Sequence, residues 1–153
     1  MDTYNMIDFN KKKGFICDMD GVIYHGNRVL PGVAEFIQWL HDEDKEYLFL
    51  TNNSGYTPRE LHQKLERLGL DVSEEHFYTS ALATAAFLRD QAPGCSVFAI
   101  GEAGLLNALY DAGITMNDVN PDYVVVGEGR SYSLDTLTKA TNLVFKGAKL
   151  IGA

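Results

Sequence analysis

Three features of this chain predict an α/β fold built on a parallel sheet. Apolar runs end abruptly in polar residues, as in Phe15-Ile16-Cys17-Asp18-Met19-Asp20-Gly21 and Tyr47-Leu48-Phe49-Leu50-Thr51-Asn52-Asn53-Ser54-Gly55. Between those runs Val33, Phe36, Ile37 and Leu40 fall at i, i+3, i+4 and i+7, the spacing of one helix face. Strand, helix and strand over this distance form a βαβ unit, whose two strands run parallel and lie near each other.

Taken in order, the first run reads as a short buried strand with Asp18 and Asp20 at its tip. Residues i and i+2 of an extended segment point to the same side, so the two carboxylates converge. Like charges held that close call for a cation, a shared proton or a substrate. The carboxyl ends of strands are also where open α/β sheets carry their chemistry. The plain alternatives are a chance D-x-D among 21 acidic residues and an ordinary Asp-Gly turn. Gly21 would let the backbone leave the strand sharply. Pro31 stands where the first helix could begin. The second run brings Thr51 to the same sheet edge as the acid pair. By residue type alone Thr51 and Asn52 read as helix or turn caps, and their alignment with the acid pair across the sheet reverses that preference.

Thr57-Pro58-Arg59-Glu60 has the form of a capping box with proline at the first helical position, and Leu61, Leu65 and Leu68 supply a buried stripe. A helix over 58–68 follows from them. Residues 77–79 read as a short strand or a linker, and Ser80 as the N-cap of an alanine-rich helix reaching about residue 89. The change of composition there divides the chain into domains at 1–79 and 80–153. Further strands are expected at 96–100, 123–126 and 149–151. Leu105, Leu106 and Leu109 mark a helix closed by Gly113, and Leu134, Leu137, Ala140 and Val144 mark one closed by Gly147. Gly127-Glu128-Gly129-Arg130 follows a strand and precedes a helix, where an anion could bind, but it lacks the spacing of a dinucleotide fingerprint. Glu128, Arg130 and Tyr132 are candidates for substrate contact, weighed against a structural turn. His25, close behind the acid pair, is weighed as a substrate contact but reads rather as an exposed loop residue, and His41, His62 and His76 read as solvated.

The chain has 153 residues, 46% of them hydrophobic, enough to bury a core. A formal net charge of −8 repels nucleic-acid backbones and anionic membranes, which argues against a polymeric nucleic-acid partner or a membrane partner. It leaves small phosphates open, since local donors and a metal capture those. Two cysteines are too few for a disulfide framework, so Cys17 reads as a buried free thiol and Cys95 as a surface one. The polar leader from Met1 to Lys13 lacks the apolar segment of a secretory signal, and the cytoplasm is the expected address. Homo-oligomerisation is compatible with all of this.

Residue chemistry suggests a reaction. Phosphate monoesters repel nucleophiles, so their hydrolysis needs an anionic nucleophile held in line and a cation to offset charge. A carboxylate can attack phosphorus to form an acyl phosphate that water then opens. Asp18 would be that nucleophile, and Asp20 the acid that protonates the leaving oxygen and later the base that activates water. Two carboxylates beside a phosphate also imply Mg2+, a hard cation that takes oxygen ligands and keeps waters.

The chain resembles the haloacid dehalogenase superfamily and, within it, the NagD-like sugar and nucleotide phosphatases. Asp18-Met19-Asp20-Gly21-Val22 carries the first motif of that family and Leu50-Thr51-Asn52-Asn53 the second. Tyr78 to Ala85, Asp118 to Asp122, Val126-Gly127-Glu128 and Arg130-Ser131-Tyr132 extend the likeness from Phe15 to Ala153. The resemblance implies a doubly wound parallel core with an inserted α/β cap of the C2 type. It assigns Asp18 and Asp20 the roles argued above. It also has Mg2+ bound by the Asp18 side chain and the Asp20 backbone carbonyl, and phosphoryl oxygens held by Thr51 and Asn52. The expected substrate is a small phosphorylated metabolite, a nucleoside monophosphate or a sugar phosphate.

The family's third-motif lysine and fourth-motif acidic cluster have no counterpart here: Lys139, Lys146 and Lys149 lie before the expected lysine, and no G-D-x-x-x-x-D run occurs. The expectation is therefore an amino-terminal portion of a longer enzyme, with the core incomplete. Three rivals stay open. A dehalogenase would have no use for Asp20, a phosphate-accepting signalling domain would have no use for the cap, and a catalytically incomplete binding or regulatory module would keep both without turnover.

Overall fold

The computed structural model describes residues 8–130 and 132–153, so the first seven residues of the polar leader and Ser131 lie outside the described residues. The chain opens with β1 (Gly14–Asp18), a small hairpin of β2 (Tyr24–His25) and β3 (Arg28–Val29), α1 (Val33–Asp42), β4 (Glu46–Thr51), α2 (Pro58–Arg67) and β5 (Phe77–Thr79). It continues with α3 (Ser80–Gln91), β6 (Ser96–Ile100), α4 (Ala103–Asp111), β7 (Thr115–Met116), β8 (Tyr123–Val126), α5 (Leu134–Phe145) and β9 (Lys149–Gly152). The predicted α/β class is the observed one. No helix among the described residues is long and apolar enough to cross a membrane.

The first sheet has the order β1-β4-β5, all parallel, with Asp18 opposite Leu50 and Thr51 opposite Thr79. One of its faces carries Phe15, Cys17, Tyr47, Phe49 and Phe77 toward α1 and α2, where they pack with Val33, Ile37, Leu40, Leu61 and Leu65. The α2 start is the predicted capping box: Thr57 Oγ1 accepts from Glu60 N at 3.1 Å, and Glu60 Oε2 accepts from Thr57 N at 2.8 Å.

Among the described residues the other face of the sheet is largely open. Ile16 is 71% exposed, and Leu50 and Tyr78 are exposed beside it. The expectation that β1 is a buried strand is thus corrected: only alternate residues of it face the core. A strand buried on both faces reads as a continuous apolar run, but so does a short strand whose outward residue happens to be isoleucine.

The second sheet has the order β7-β6-β8-β9 and is also parallel. It is covered on both faces. Val97 and Val125 pack against α3 and α4, and Val124 and Ile100 against α5. The stripe expected on α5 holds in its second half, where Ala140 is buried and Val144 packs on the core, but Leu134 and Leu137 are exposed and Leu143 is buried instead. Leucines stand on both the inner and the outer side of this helix, so spacing alone did not pick out the buried face. Two features escaped the apolar pattern, the β2–β3 hairpin and β7, because pieces of two residues carry no period.

The buried residues form cores that do not mix across the β5–α3 junction: one draws on residues from Met19 to Phe77, the others on residues from Ala81 onward. At that junction the N-cap is Thr79, not Ser80. Thr79 ends β5 in an extended conformation and its Oγ1 accepts from Leu82 N at 3.2 Å, so α3 begins one residue earlier than expected.

Candidate active site

Parallel pairing in register delivers Asp18 and Thr51 to the same edge of the first sheet. Met19 is fully buried while Asp18 and Asp20 are both exposed, so the alternation expected of an extended tip is present. Asp18 Oδ1 accepts from Met19 N at 2.8 Å, which orients one carboxylate oxygen and leaves the other facing solvent. The chain then turns at Gly21, whose φ of 79° is a left-handed conformation that favours glycine. Gly21 N donates to Tyr24 O at 2.8 Å and holds Asp20 against the hairpin.

Thr51 is buried and its Oγ1 accepts from Asn53 N at 3.1 Å, leaving the hydroxyl proton free to be donated. Asn52 is exposed, and its backbone carbonyl accepts from Ser80 Oγ at 2.9 Å. Asn53 Oδ1 accepts from Gly55 N at 2.8 Å and Tyr56 N at 3.2 Å, an Asx-type turn that keeps the loop closed on itself. The loop after β4 is therefore held at almost every residue before any ligand enters.

Glu128, Arg130 and Tyr132 follow β8. The first two are exposed and line a cleft of about 380 Å³ with Asn53, Tyr56 and Glu102. Asp18 and Asp20 are not part of that cleft's wall. The Tyr132 hydroxyl donates to the Gly127 carbonyl, so its polar end is already engaged. The expectation of an anion site at the start of the following helix is corrected: α5 begins at Leu134 under a Ser133 cap, and the Gly127–Arg130 segment turns toward the loop after β4. Arg130 N donates to Glu102 Oε1 at 3.1 Å.

Two further side chains stand at the acid pair that sequence reasoning did not single out. Tyr24 is buried, and its hydroxyl is pushed up to about 12 by burial first and then by the Asp20 carboxylate. Lys64 on α2 places its ammonium 3.7 Å from the centre of the Tyr24 ring. Burial lowers the Lys64 ammonium, and Asp20 opposes that shift. In the sequence Tyr24 lies in a hairpin too short to show a pattern, and Lys64 looks like a solvated helix residue.

All three histidines read as solvated are engaged, His41 through its Nε2 with the Tyr47 hydroxyl at 2.9 Å. The His62 Nδ1–H donates to the Val72 carbonyl at 2.8 Å, and the His76 Nδ1–H donates to the Tyr47 carbonyl at 2.9 Å while its ring stacks on Tyr47 at 3.8 Å. His25 is exposed, as expected. Cys17 and Cys95 are both partly buried free thiols, and burial pushes the Cys17 thiol up.

The donor set suits a hard cation. Asp18 and Asp20 offer exposed carboxylates, and Mg2+ is typically held by one or two carboxylates with substrate phosphate and retained water. Among the described residues no group of three or more His, Cys, Asp or Glu side chains converges to hold a metal by itself.

Comparison with known proteins places this geometry in context. A model of haloacid dehalogenase-like hydrolases matches residues 15–115. The dihydroxyacetone phosphatase of Corynebacterium glutamicum is 44% identical over 137 residues, covering 90% of this chain and 50% of that protein. The ribonucleotide monophosphatase NagD of Escherichia coli K12 is 45% identical over 139 residues, covering 91% and 55%. Its solved structure superposes with a TM-score of 0.86 over 92% of this chain and 56% of that one. An acid sugar phosphatase of Staphylococcus haemolyticus is 40% identical over 140 residues, covering 91% and 53%. The chain thus spans about half the length of the curated relatives it matches.

Proposed function

The chain belongs to the haloacid dehalogenase-like hydrolases, and on that premise we propose that it carries the nucleophile, the acid/base and the phosphoryl-binding loop of a magnesium-dependent phosphomonoester hydrolase. The observation that carries this reading is the common edge of β1 and β4, where Asp18 and Thr51 end adjacent parallel strands with Asp20 just beyond.

In this reading Asp18 attacks phosphorus in line with the leaving oxygen. A bond forms from its carboxylate oxygen to phosphorus as the phosphorus–oxygen bond to the leaving group breaks, and Asp20 supplies the proton that the leaving oxygen takes up. Asp20, now a carboxylate, then removes a proton from water, whose oxygen attacks the aspartyl phosphate and frees Asp18 and inorganic phosphate. Thr51 and Asn52 hold the phosphoryl oxygens during both steps. Magnesium held by the Asp18 carboxylate and the Asp20 backbone carbonyl would offset the phosphoryl charge. Tyr24 and Lys64 fix the surroundings of Asp20 and touch neither reacting atom.

The substrate class follows the relatives, whose names cover a triose phosphate, ribonucleoside monophosphates and sugar phosphates. We assign this chain a small phosphorylated metabolite in the cytoplasm, with Glu128, Arg130 and Tyr132 facing the leaving group. The separate cores on either side of the β5–α3 junction support a division into a core unit at 1–79 and a cap unit at 80–153. A catalytically incomplete binding or regulatory module is the second reading, favoured by the lack of a third acidic ligand beside Asp18 and Asp20 among the described residues. Phosphate release from a panel of phosphomonoesters by the natural full-length protein, with magnesium and with chelator, separates them. Magnesium-dependent release supports the hydrolase, and tight phosphate-ester binding without release supports the module.

A further inference from the structure

The loop after β4 is joined to the second sheet by a built contact. Ser54 is completely buried, and its Oγ accepts from Glu128 N at 2.7 Å across 74 residues of chain. One residue on, Gly55 O accepts from Gly104 N at 3.0 Å, at the start of α4. Two glycines make this approach possible. A Cβ on Gly104 would lie 2.6 Å from the backbone oxygens of both Ser54 and Tyr56, and one on Gly127 would lie 2.8 Å from Ser54 Oγ and 2.7 Å from Leu105 Cδ2. The contacts at Gly104 are with backbone, so a larger residue there would force the two elements apart, whereas at Gly127 it is the Ser54 and Leu105 side chains that would have to shift. Glu102 ties the far side, its amide donating to Glu128 O at 3.3 Å and its carboxylate accepting from Arg130 N.

We propose that Ser54 is a positioning residue: its hydroxyl is the pin that registers the second sheet, and with it Glu128 and Arg130, on the loop that begins at Thr51. Ser54 follows Thr51 by three residues, and the Asx turn of Asn53 stiffens the chain between them. A displacement at Ser54 is therefore transmitted in two directions, to the backbone that presents Asn52 and to the backbone that carries Glu128. The loop that would hold the phosphoryl group and the residues that would meet the leaving group share one fixed point. Discrimination between leaving groups then depends on a hydroxyl that touches no part of the substrate. This last consequence rests on the phosphatase reading; the joint itself does not.

Hydrogen exchange and kinetics on the natural full-length protein test the two parts separately. In Ser54→Ala the Glu128 and Gly104 amides should exchange at least about tenfold faster, while amides of β1 and β4 keep their protection. Gly104→Ala leaves the Ser54 side chain untouched and pries the same joint open against the backbone of the loop, so it should reproduce the pattern even if Ser54→Ala folds poorly. Both variants should lower kcat/KM for a nucleoside 5′-monophosphate relative to a triose phosphate by about fivefold or more, with the triose ester losing less than about threefold. Unchanged exchange at Glu128 in both variants overturns the joint. An opened joint with an unchanged substrate ratio overturns its role in specificity. If the wild-type protein hydrolyses neither these esters nor any other of the phosphomonoester panel, the phosphatase reading fails, and exchange at Glu128 still decides whether Ser54 is the pin.

Discussion

At the scale of single residues, the acid pair is the part of the site with the clearest division of labour. Asp18→Asn keeps the shape of the strand tip and removes the attacking charge, so turnover in the natural full-length protein should fall by at least about 10³-fold with the unfolding transition unmoved. Asp20→Asn keeps the nucleophile, and an activated ester such as para-nitrophenyl phosphate should leave labelled phosphate on the protein because water is no longer activated. Absence of label together with normal turnover would remove Asp20 from the acid/base role. Tyr47 offers a separate test of burial. Its hydroxyl is paired with His41 Nε2 at 2.9 Å and is pushed up to about 12, chiefly by burial. A folded-state value above the unfolded one means that this stabilisation is complete below pH 10 and is lost as pH rises from 10 toward 12. Denaturant midpoints measured across that window should fall less steeply in Tyr47→Phe than in the parent chain.

At the scale of elements, local signals and burial did different work. The α2 start was legible because a capping box is a contact among four consecutive residues, and Thr57→Ala should cost about 1 kcal/mol by denaturant titration while leaving the α3 start unaffected. A change within error would show that the box is redundant with the Leu61 and Leu65 packing. The α3 cap and half of the α5 stripe were misread for related reasons, although both helices are present. Thr79 and Ser80 are both competent caps, and only the extended backbone at the end of β5 selects Thr79. On α5, Leu134 and Leu137 satisfy a helical spacing as well as Ala140 and Leu143 do, and the face that is buried was decided by where β8 lies.

At the scale of the molecule, the two sheets are clothed differently. The second has helices on both faces, whereas the first leaves Ile16, Leu50 and Tyr78 on an open one. Among the described residues β1 pairs with β4 alone, so its other edge also presents free backbone groups. Exposed apolar area beside an unpaired edge invites association. Sedimentation velocity on the isolated 153-residue chain should show concentration-dependent self-association, and Ile16→Lys should reduce it by placing a charge on that face beside the unpaired edge. A chain that stays monomeric at high concentration would mean that this face is tolerated in water as it stands.

What the sequence determined by itself is local or periodic: the α/β class, the strand tips bearing Asp18, Asp20 and Thr51, the α2 capping box, and the glycine that turns the chain after Asp20. Each is written in residues a few positions apart, so each can be seen without knowing what packs where. The tertiary structure decided the rest. That β1 buries one face only, that Tyr24 and Lys64 stand beside Asp20, that His62 and His76 are engaged, and that Ser54 meets Glu128 all depend on distances between segments remote in the chain. The Ser54 contact shows the reason most directly. A serine beside a glycine in a loop is unremarkable as a string of letters, and it acquires a role only when a second loop, 74 residues away, comes close enough to donate its amide.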